Sequence, residues 1–256
     1  MKTNVIYNME CLQGMADRIL DDSIDMILAD LPYNTTACDW DSMIPLEPLW
    51  KQYERIVKDD TAIVLTASQP FTTKLISSNM DWFKYEWIWK KNRPTGMATA
   101  NYQPMRNHEE VLVFCKTSTK YNPMKEVRDV KDKYKDLKEG NFTRSGNYGN
   151  EVQGIGESEK SEYGAKRNPT TVKKFDSVSN HGNNRKHPTQ KPVALFKYLI
   201  KTYTDEDDII LDNVIGSGTT AVAAKTLDRK YIGFESNKEY YEIAQKRVSE
   251  VQKELI

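Results

Sequence analysis

Cysteine and histidine are scarce in this sequence. Cys11, Cys38 and Cys115 are odd in number and far apart, and the histidines are His108, His181 and His187. With no CxxC pair, a structural zinc site is not expected, and a reducing cytoplasmic compartment suits the chain. Long apolar runs are missing too. None approaches the roughly 20 residues needed to span a bilayer, so no membrane association is expected. The N-terminal MKTNVIYNME lacks the basic-then-apolar pattern of a secretory signal. Net charge is also absent, with 37 Lys and Arg against 37 Asp and Glu. That balance argues against a uniformly basic nucleic-acid binder.

The charge is unevenly distributed. Residues 1–50 carry 2 basic and 9 acidic side chains, whereas residues 116–191 carry 17 and 10. A basic central stretch fits a phosphate-facing surface, and charge alone fits a solvated lysine-rich insertion equally well. Candidate phosphate contacts in it are Arg144, Lys166, Arg167, Lys173, Lys174 and Arg185. Upstream, Lys91, Arg93 and Arg106 stand in a Gly, Thr, Asn and Pro-containing segment, Lys90 to Arg106, which reads as a loop.

Apolar patterning divides the 256 residues into two regular regions and one irregular one. Asp25 to Ala29 reads as a buried strand, Leu46 to Val57 as a helix and Ala62 to Ala67 as a second strand. Gln69-Pro70 opens another helix. Tyr85 to Trp89 and Val111 to Cys115 read as paired strands, with Trp82, Trp87 and Trp89 filling core. Regularity fails from about Thr117 to Arg185, where Lys, Asn, Gly, Ser and Glu dominate. It returns with a helix from Pro192 to Tyr203, a strand Ile209 to Leu211, a helix Thr219 to Leu227, a strand Tyr231 to Phe234 and a helix from Lys238. This alternation predicts an α/β fold with an open, mostly parallel sheet. Its two halves, residues 1–116 and 186–256, form one sheet, and residues 117–185 are inserted between them.

Two segments carry chemistry. In ILDNVIGSGTT (Ile210 to Thr220) a strand ends at Asp212, and Gly216-Ser217-Gly218 turns into a helix at Thr219. Glycines allow close backbone approach, and the helix start favours an anionic group. Asp212 is suited to a cationic amine. The next strand ends at Glu235, where a doubly wound fold places an acid against ribose hydroxyls. The GK[ST] lysine of a nucleotide-phosphate loop is missing. These residues leave S-adenosylmethionine and a dinucleotide both open as cofactor.

The second segment is Asp30-Leu31-Pro32-Tyr33, which follows a buried strand. Proline makes Leu31-Pro32 an extended step rich in carbonyl acceptors. A carboxylate, a carbonyl and an aromatic face together suit the exocyclic amine of a nucleobase. Accepting its two hydrogens favours a pyramidal nitrogen with a free lone pair, while Tyr33 stacks on the base. Alone, the segment reads better as an ordinary strand-to-turn junction.

Together the motifs resemble the β-class, circularly permuted amino-directed DNA methyltransferases. The catalytic motif, matched by Asp30-Leu31-Pro32-Tyr33, comes first; His187-Pro188-Thr189-Gln190-Lys191-Pro192 and Asp212 to Thr220 follow. LTASQPF, WIWKKNRPTG and HEEVLVFCK resemble the strands after the catalytic motif. The likeness covers nearly everything outside residues 117–185. It implies a Rossmann-like doubly wound sheet of the S-adenosylmethionine-dependent type with residues 117–185 as the target-recognition region. It also implies S-adenosylmethionine held by Glu10, Cys11, Asp30, His187, Thr189, Gln190, Lys191, Asp212, Asn213, Gly216, Ser217, Gly218, Thr219 and Glu235. An aspartate-led motif in this family accompanies N6 methylation of adenine, and a serine-led one N4 methylation of cytosine. Double-stranded DNA is the implied partner, with a cognate restriction endonuclease as a second. The sequence leaves monomer and homodimer open.

Four residues depart from the family pattern. Leu31 replaces the first proline of the catalytic motif, Asn213-Val214 replaces Pro-Phe, and Glu10 replaces aspartate. Losing an aromatic contact at Val214 would cost on the order of 1 kcal/mol, about tenfold in affinity. The competing readings are an RNA or protein amine as substrate, a DNA-binding relative with weakened catalysis, and, from the glycine loop alone, a dinucleotide-dependent oxidoreductase. The last leaves the Asp30 segment and HPTQKP unexplained.

Overall fold

The computed structural model describes residues 1–33, 43–127, 166–178 and 190–251. Two compact units emerge, Met1–Asn122 with Thr171–Ile256, and Pro123–Thr170. The larger carries an eight-stranded sheet. In chain order its elements are β1 (Val5–Tyr7), α1 (Cys11–Arg18), β2 (Ile24–Ala29), α2 (Leu46–Ile56), β3 (Val57–Ala67), α3 (Phe71–Ser78), β4 (Phe83–Thr95) and β5 (Arg106–Phe114). In the smaller unit β6 (Glu126–Val127) pairs antiparallel with β7 (Lys166–Arg167). The large unit resumes with β8 (Val172–Lys174), α4 (Val193–Tyr203), β9 (Ile209–Asp212), α5 (Thr219–Thr226), β10 (Lys230–Phe234) and α6 (Lys238–Ser249).

The strand order is β1-β10-β9-β2-β3-β5-β4-β8. The first five strands run parallel, β5 is antiparallel to both β3 and β4, and β8 is parallel to β4. Alternation along each strand divides the core between two faces. Met26 and Leu28 point with Val64 and Val111 toward α4, α5 and α6. Ile27 and Ala29 point with Ile63, Leu65 and Phe114 toward α1, α2 and α3. The near-continuous apolar run of β2 follows from burial on both faces.

Packing on the second face is tight. A Cβ at Gly14, inside α1, would lie 2.5 Å from two ring carbons of Phe234. Gly14→Ala gains about 1 kcal/mol of helix propensity. Against a ring fixed in the core, overpacking at the upper end of about 1–3 kcal/mol outweighs that gain. The expected result is a lower urea midpoint with an unchanged slope.

The structure departs from the sequence reading in three places. The segment from Lys90 to Arg106 is not a plain loop: β4 runs to Thr95 and β5 starts at Arg106, giving a long hairpin closed by a short 3-10 turn, Met97–Thr99. Polar residues there satisfy backbone pairing without an apolar face, so periodicity missed them. The irregular region also contains part of the main sheet, since Val172–Lys174 pairs with Ile88–Lys90. Finally, β1 and α1 are too short, and α1 too glycine-interrupted, to register as periodic elements. Cys38 and His181 lie outside the described residues. Among those described, no helix is long and apolar enough to cross a membrane, and no three His, Cys, Asp or Glu side chains gather as a metal site.

Candidate active site

Chain direction across the sheet reverses between β2 and β9. From β2 the chain moves through α2 to β3 on one side; from β9 it moves through α5 to β10 on the other. Ligands of open α/β sheets bind outside the carboxyl ends of the strands at such a switch point. Asp30 directly follows β2, and Asp212 is the last residue of β9.

Asp30 is held by three donors. Its Oδ1 accepts from the Tyr33 hydroxyl at 2.8 Å and from Thr66 Oγ1 on β3. Its Oδ2 accepts from Lys191 Nζ at 2.8 Å. Tyr33 Oη also lies 3.1 Å from Thr66 Oγ1, and its ring stacks on Phe71 with centroids 5.0 Å apart. Burial, reinforced by Asp30 and opposed by Lys191, pushes the phenol well above its ordinary pKa, so it stays a donor. Leu31 is buried and Pro32 half-buried.

Lys191 also lies 3.2 Å from Glu109 Oε2, and Glu109 Oε1 accepts from Lys91 at 3.1 Å. Burial works against the charge on Lys191, but Asp30, Tyr33 and Glu109 outweigh it and hold the ammonium well above its usual pKa. Burial likewise opposes ionisation of Glu109, and the two lysines overcome it, leaving the carboxyl below its usual range.

The glycine loop forms the other wall. Gly216 and Gly218 have φ of +51° and +86°, which side chains rarely adopt. A Cβ on Gly218 would also lie 3.0 Å from that of Ala244 in α6. The loop meets Glu235 at the end of β10, whose Oε2 accepts from Gly216 N at 2.9 Å and Oε1 from Asn237 N at 2.7 Å. Ser217 is held by Arg247, which donates to its Oγ at 2.9 Å. Asp212 accepts from Val214 N at 3.1 Å and from Thr220 Oγ1. Burial raises its carboxyl to about 7; Asp30 and Glu235 add to this, against the two hydrogen bonds. Burial raises Glu235 as well. Among the described residues no Lys, Arg or His forms an ion pair with Asp212 or Glu235.

The departures from the family pattern acquire local explanations. Asn213 Oδ1 accepts from the buried Tyr53 hydroxyl at 2.6 Å, tying the loop to α2. Its Nδ2 is buried without a hydrogen bond of good geometry, near the Cys11 thiol. Val214 packs against the core of the second sheet face, as Met9, Leu12 and Tyr33 also do. Glu10 caps α1, accepting from Leu12 N at 3.0 Å, Gln13 N at 2.9 Å and the Cys11 thiol at 3.2 Å. Burial and Glu10 push that thiol to about 12, which removes it as a nucleophile.

Several expected ligands are placed differently. Lys191, expected beside the cofactor, sits on Asp30 and Glu109, and its ammonium is 5.6 Å from the Tyr33 ring centroid. Lys91 is not a phosphate-facing loop residue, because it is buried on β4 in its pair with Glu109. Lys173 is also turned inward, over the rings of Trp87 and Tyr198. Arg93 and Lys174 are exposed, and Arg167 pairs with Glu126 at 3.6 Å. Arg106 donates to Ser68 Oγ and to Gln69 O. Gln190 is half-buried at the approach to α4. Arg144, Arg185, His187 and Thr189 lie outside the described residues, as does the side chain of Lys166. Thr66, Phe71 and Glu109 escaped the sequence reading. A carboxylate pair directly before the apolar run VLVF was the signal for Glu109.

The chain is similar to known proteins along nearly its whole length. The family described as DNA methylase matches residues 24–246. Type II methyltransferase M.BglII of Bacillus subtilis is 30% identical over 263 residues, covering 94% of this chain and 68% of that protein. Type II methyltransferase M1.MboII of Moraxella bovis is 28% identical, covering 94% of each. Among solved structures, the M1.HpyAVI–SAM complex superposes with a TM-score of 0.62 at 24% identity, covering 95% of this chain and 98% of that one. PvuII DNA methyltransferase, described as cytosine-N4-specific, reaches 0.66 at 14% identity, covering 98% and 89%. The switch-point carboxylates, the glycine loop and this match along the chain place the protein in the DNA methylase family.

Proposed function

We propose that the protein transfers a methyl group from S-adenosylmethionine to the N6 amine of an adenine flipped out of duplex DNA. The observation that carries this reading is Asp30 at the switch point, oriented by Tyr33 and Thr66 beside a ring stacked on Phe71. The carboxylate and the Leu31 carbonyl accept the amine hydrogens, and Tyr33 stacks on the base. Lacking a covalent step, catalysis rests on positioning and on a negative group beside a nitrogen that becomes positive.

The residues present fit the cofactor. Asp212 is a buried acid with no cationic partner among the described residues, and the positively charged methionine end of the ligand would relieve it. Glu235 suits ribose hydroxyls, and residues Gly216 to Thr219 allow close backbone approach. Asn213, Cys11, Glu10, His187, Thr189 and Gln190 complete the proposed lining. Bound there, S-adenosylmethionine supplies an electrophilic methyl group.

Adenine is favoured over cytosine by the aspartate that leads the motif. The fold does not separate the two bases, since the cytosine-N4-specific PvuII enzyme shares it. Arg93, Arg106, Arg167 and Lys174, with Lys166, Arg144 and Arg185, are the proposed phosphate contacts. The Type II names of the relatives support a cognate restriction endonuclease as a partner.

Incubation with unmethylated DNA and S-adenosylmethionine, followed by nucleoside mass spectrometry, tests the reading. N6-methyladenine is the expected product. N4-methylcytosine would overturn the base assignment, and no methylated base would point to a binding relative without catalysis.

A further inference from the structure

Asp30 has little acceptor capacity to spare. A carboxylate oxygen offers two lone pairs. Oδ1 is filled by Tyr33 and Thr66, and Oδ2 already accepts from Lys191. A substrate amine must therefore share or take the Oδ2 side. The Lys191 ammonium makes one contact set for that amine, the hydrogen bond to Asp30, and it lies 5.6 Å from the centroid of the Tyr33 ring on which the base is to stack.

We infer that Lys191 is a two-seat placeholder: its ammonium occupies the target amine's seat on Asp30 in the empty enzyme, and it withdraws onto Glu109 when the base enters. This deepens the proposed function and rests on that reading. Glu109 is the positioning residue of the device. Its Oε2 is already 3.2 Å from Lys191 Nζ, against 2.8 Å for Asp30 Oδ2, so the transfer requires only a small side-chain adjustment. Lys91, 3.1 Å from the other Glu109 oxygen, keeps that carboxylate in place.

Charge gives the device its direction. Asp30, Glu109, Lys91 and Lys191 carry two negative and two positive charges in a largely buried cluster, with Lys191 and Lys91 side chains 8% and 7% exposed. A buried carboxylate without a partner is costly, and Lys191 removes that cost while the site is empty. A neutral amine replaces the ammonium only weakly. As methyl transfer proceeds the nitrogen becomes cationic, and Asp30 regains a positive partner at the transition state. The interaction is thereby stronger there than in the ground state, which is the condition for catalysis. The titration states agree: Lys191 stays charged and Glu109 ionised.

The test is a double-mutant cycle on Glu109→Gln and Lys191→Met, reading kcat, KM for DNA and the Kd of S-adenosylmethionine. In Glu109→Gln the second seat loses its charge and Lys191 stays on Asp30. The expected result is a KM for DNA raised about tenfold or more with the cofactor Kd unchanged. Lys191→Met empties the seat, so the double variant recovers the DNA affinity that Glu109→Gln lost. A merely structural Glu109 would not be rescued in this way. An unchanged KM in Glu109→Gln, or an equal loss in the double variant, overturns the inference while leaving the methyltransferase reading intact. If Glu109→Gln does not fold, Lys191→Met alone decides. A lowered KM for DNA with an unchanged cofactor Kd supports the placeholder, an unchanged or raised KM for DNA overturns it, and a raised cofactor Kd returns Lys191 to the cofactor. A wild type that makes no methylated base overturns the reading and the inference together.

Discussion

Asp30→Asn is expected to lower kcat by about three orders of magnitude while changing the S-adenosylmethionine Kd by less than about threefold. The substitution keeps volume and shape. It replaces one acceptor oxygen by an amino group in a site where Tyr33, Thr66 and Lys191 all donate. The amide can turn its oxygen to only one side, so donor meets donor on the other. More consequentially, the negative charge beside the developing ammonium is gone, and that interaction exists only as the methyl group transfers. The effect therefore falls on kcat rather than on binding. Tyr33→Phe removes one donor and keeps the stacking face, so a smaller loss is expected. Single-turnover rates with saturating DNA and cofactor, alongside a cofactor titration, check both. Normal turnover in Asp30→Asn would exclude the proposed mechanism.

Asp212→Asn is expected to flatten the pH dependence of stability in the ligand-free protein. The folded-state carboxyl titrates near 7 rather than near 3.8, because burial disfavours the charged form and Asp30 and Glu235 add to it. A raised carboxyl pKa means the folded state holds its proton more tightly than the unfolded chain. Below about 4 both states are protonated and the group has no effect. Between about 4 and 7 only the unfolded state ionises, so stability falls as pH rises, and above about 7 the cost is constant. Three pH units correspond to a cost on the order of 4 kcal/mol. Glu109 and Glu10 slope in the opposite sense, so the difference between wild type and Asp212→Asn isolates the group. A cationic ligand offsets the cost only when Asp212 is ionised. The stabilisation by S-adenosylmethionine should therefore grow from about pH 5.5 to 8 in the wild type and stay nearly level in the variant. Identical slopes in urea titrations of the two proteins would refute the assignment.

Much of this was local information. The strand Asp25 to Ala29, the helix from Leu46 and the turn at Gly216 to Gly218 were legible because periodicity and glycine spacing are properties of short windows. The hairpin extension to Thr95 was not, since its polar residues are held by partners across the strand and leave no apolar period. Nor was β8, three residues long and ordered by its pairing with β4.

The two motif segments and their order along the chain carried the resemblance to amino-directed DNA methyltransferases by themselves, because each sits where a strand ends and the chain turns. Only the tertiary structure decided which charges face inward. It set Lys191 on Asp30, 161 residues away, and joined both to Glu109 and Lys91. It also turned Lys173 from the solvent onto Trp87 and Tyr198. A lysine in a polar segment has the same local pattern whether it meets water, a phosphate or a buried acid. The difference arises from which strands become neighbours, and that is settled when the sheet closes around its core.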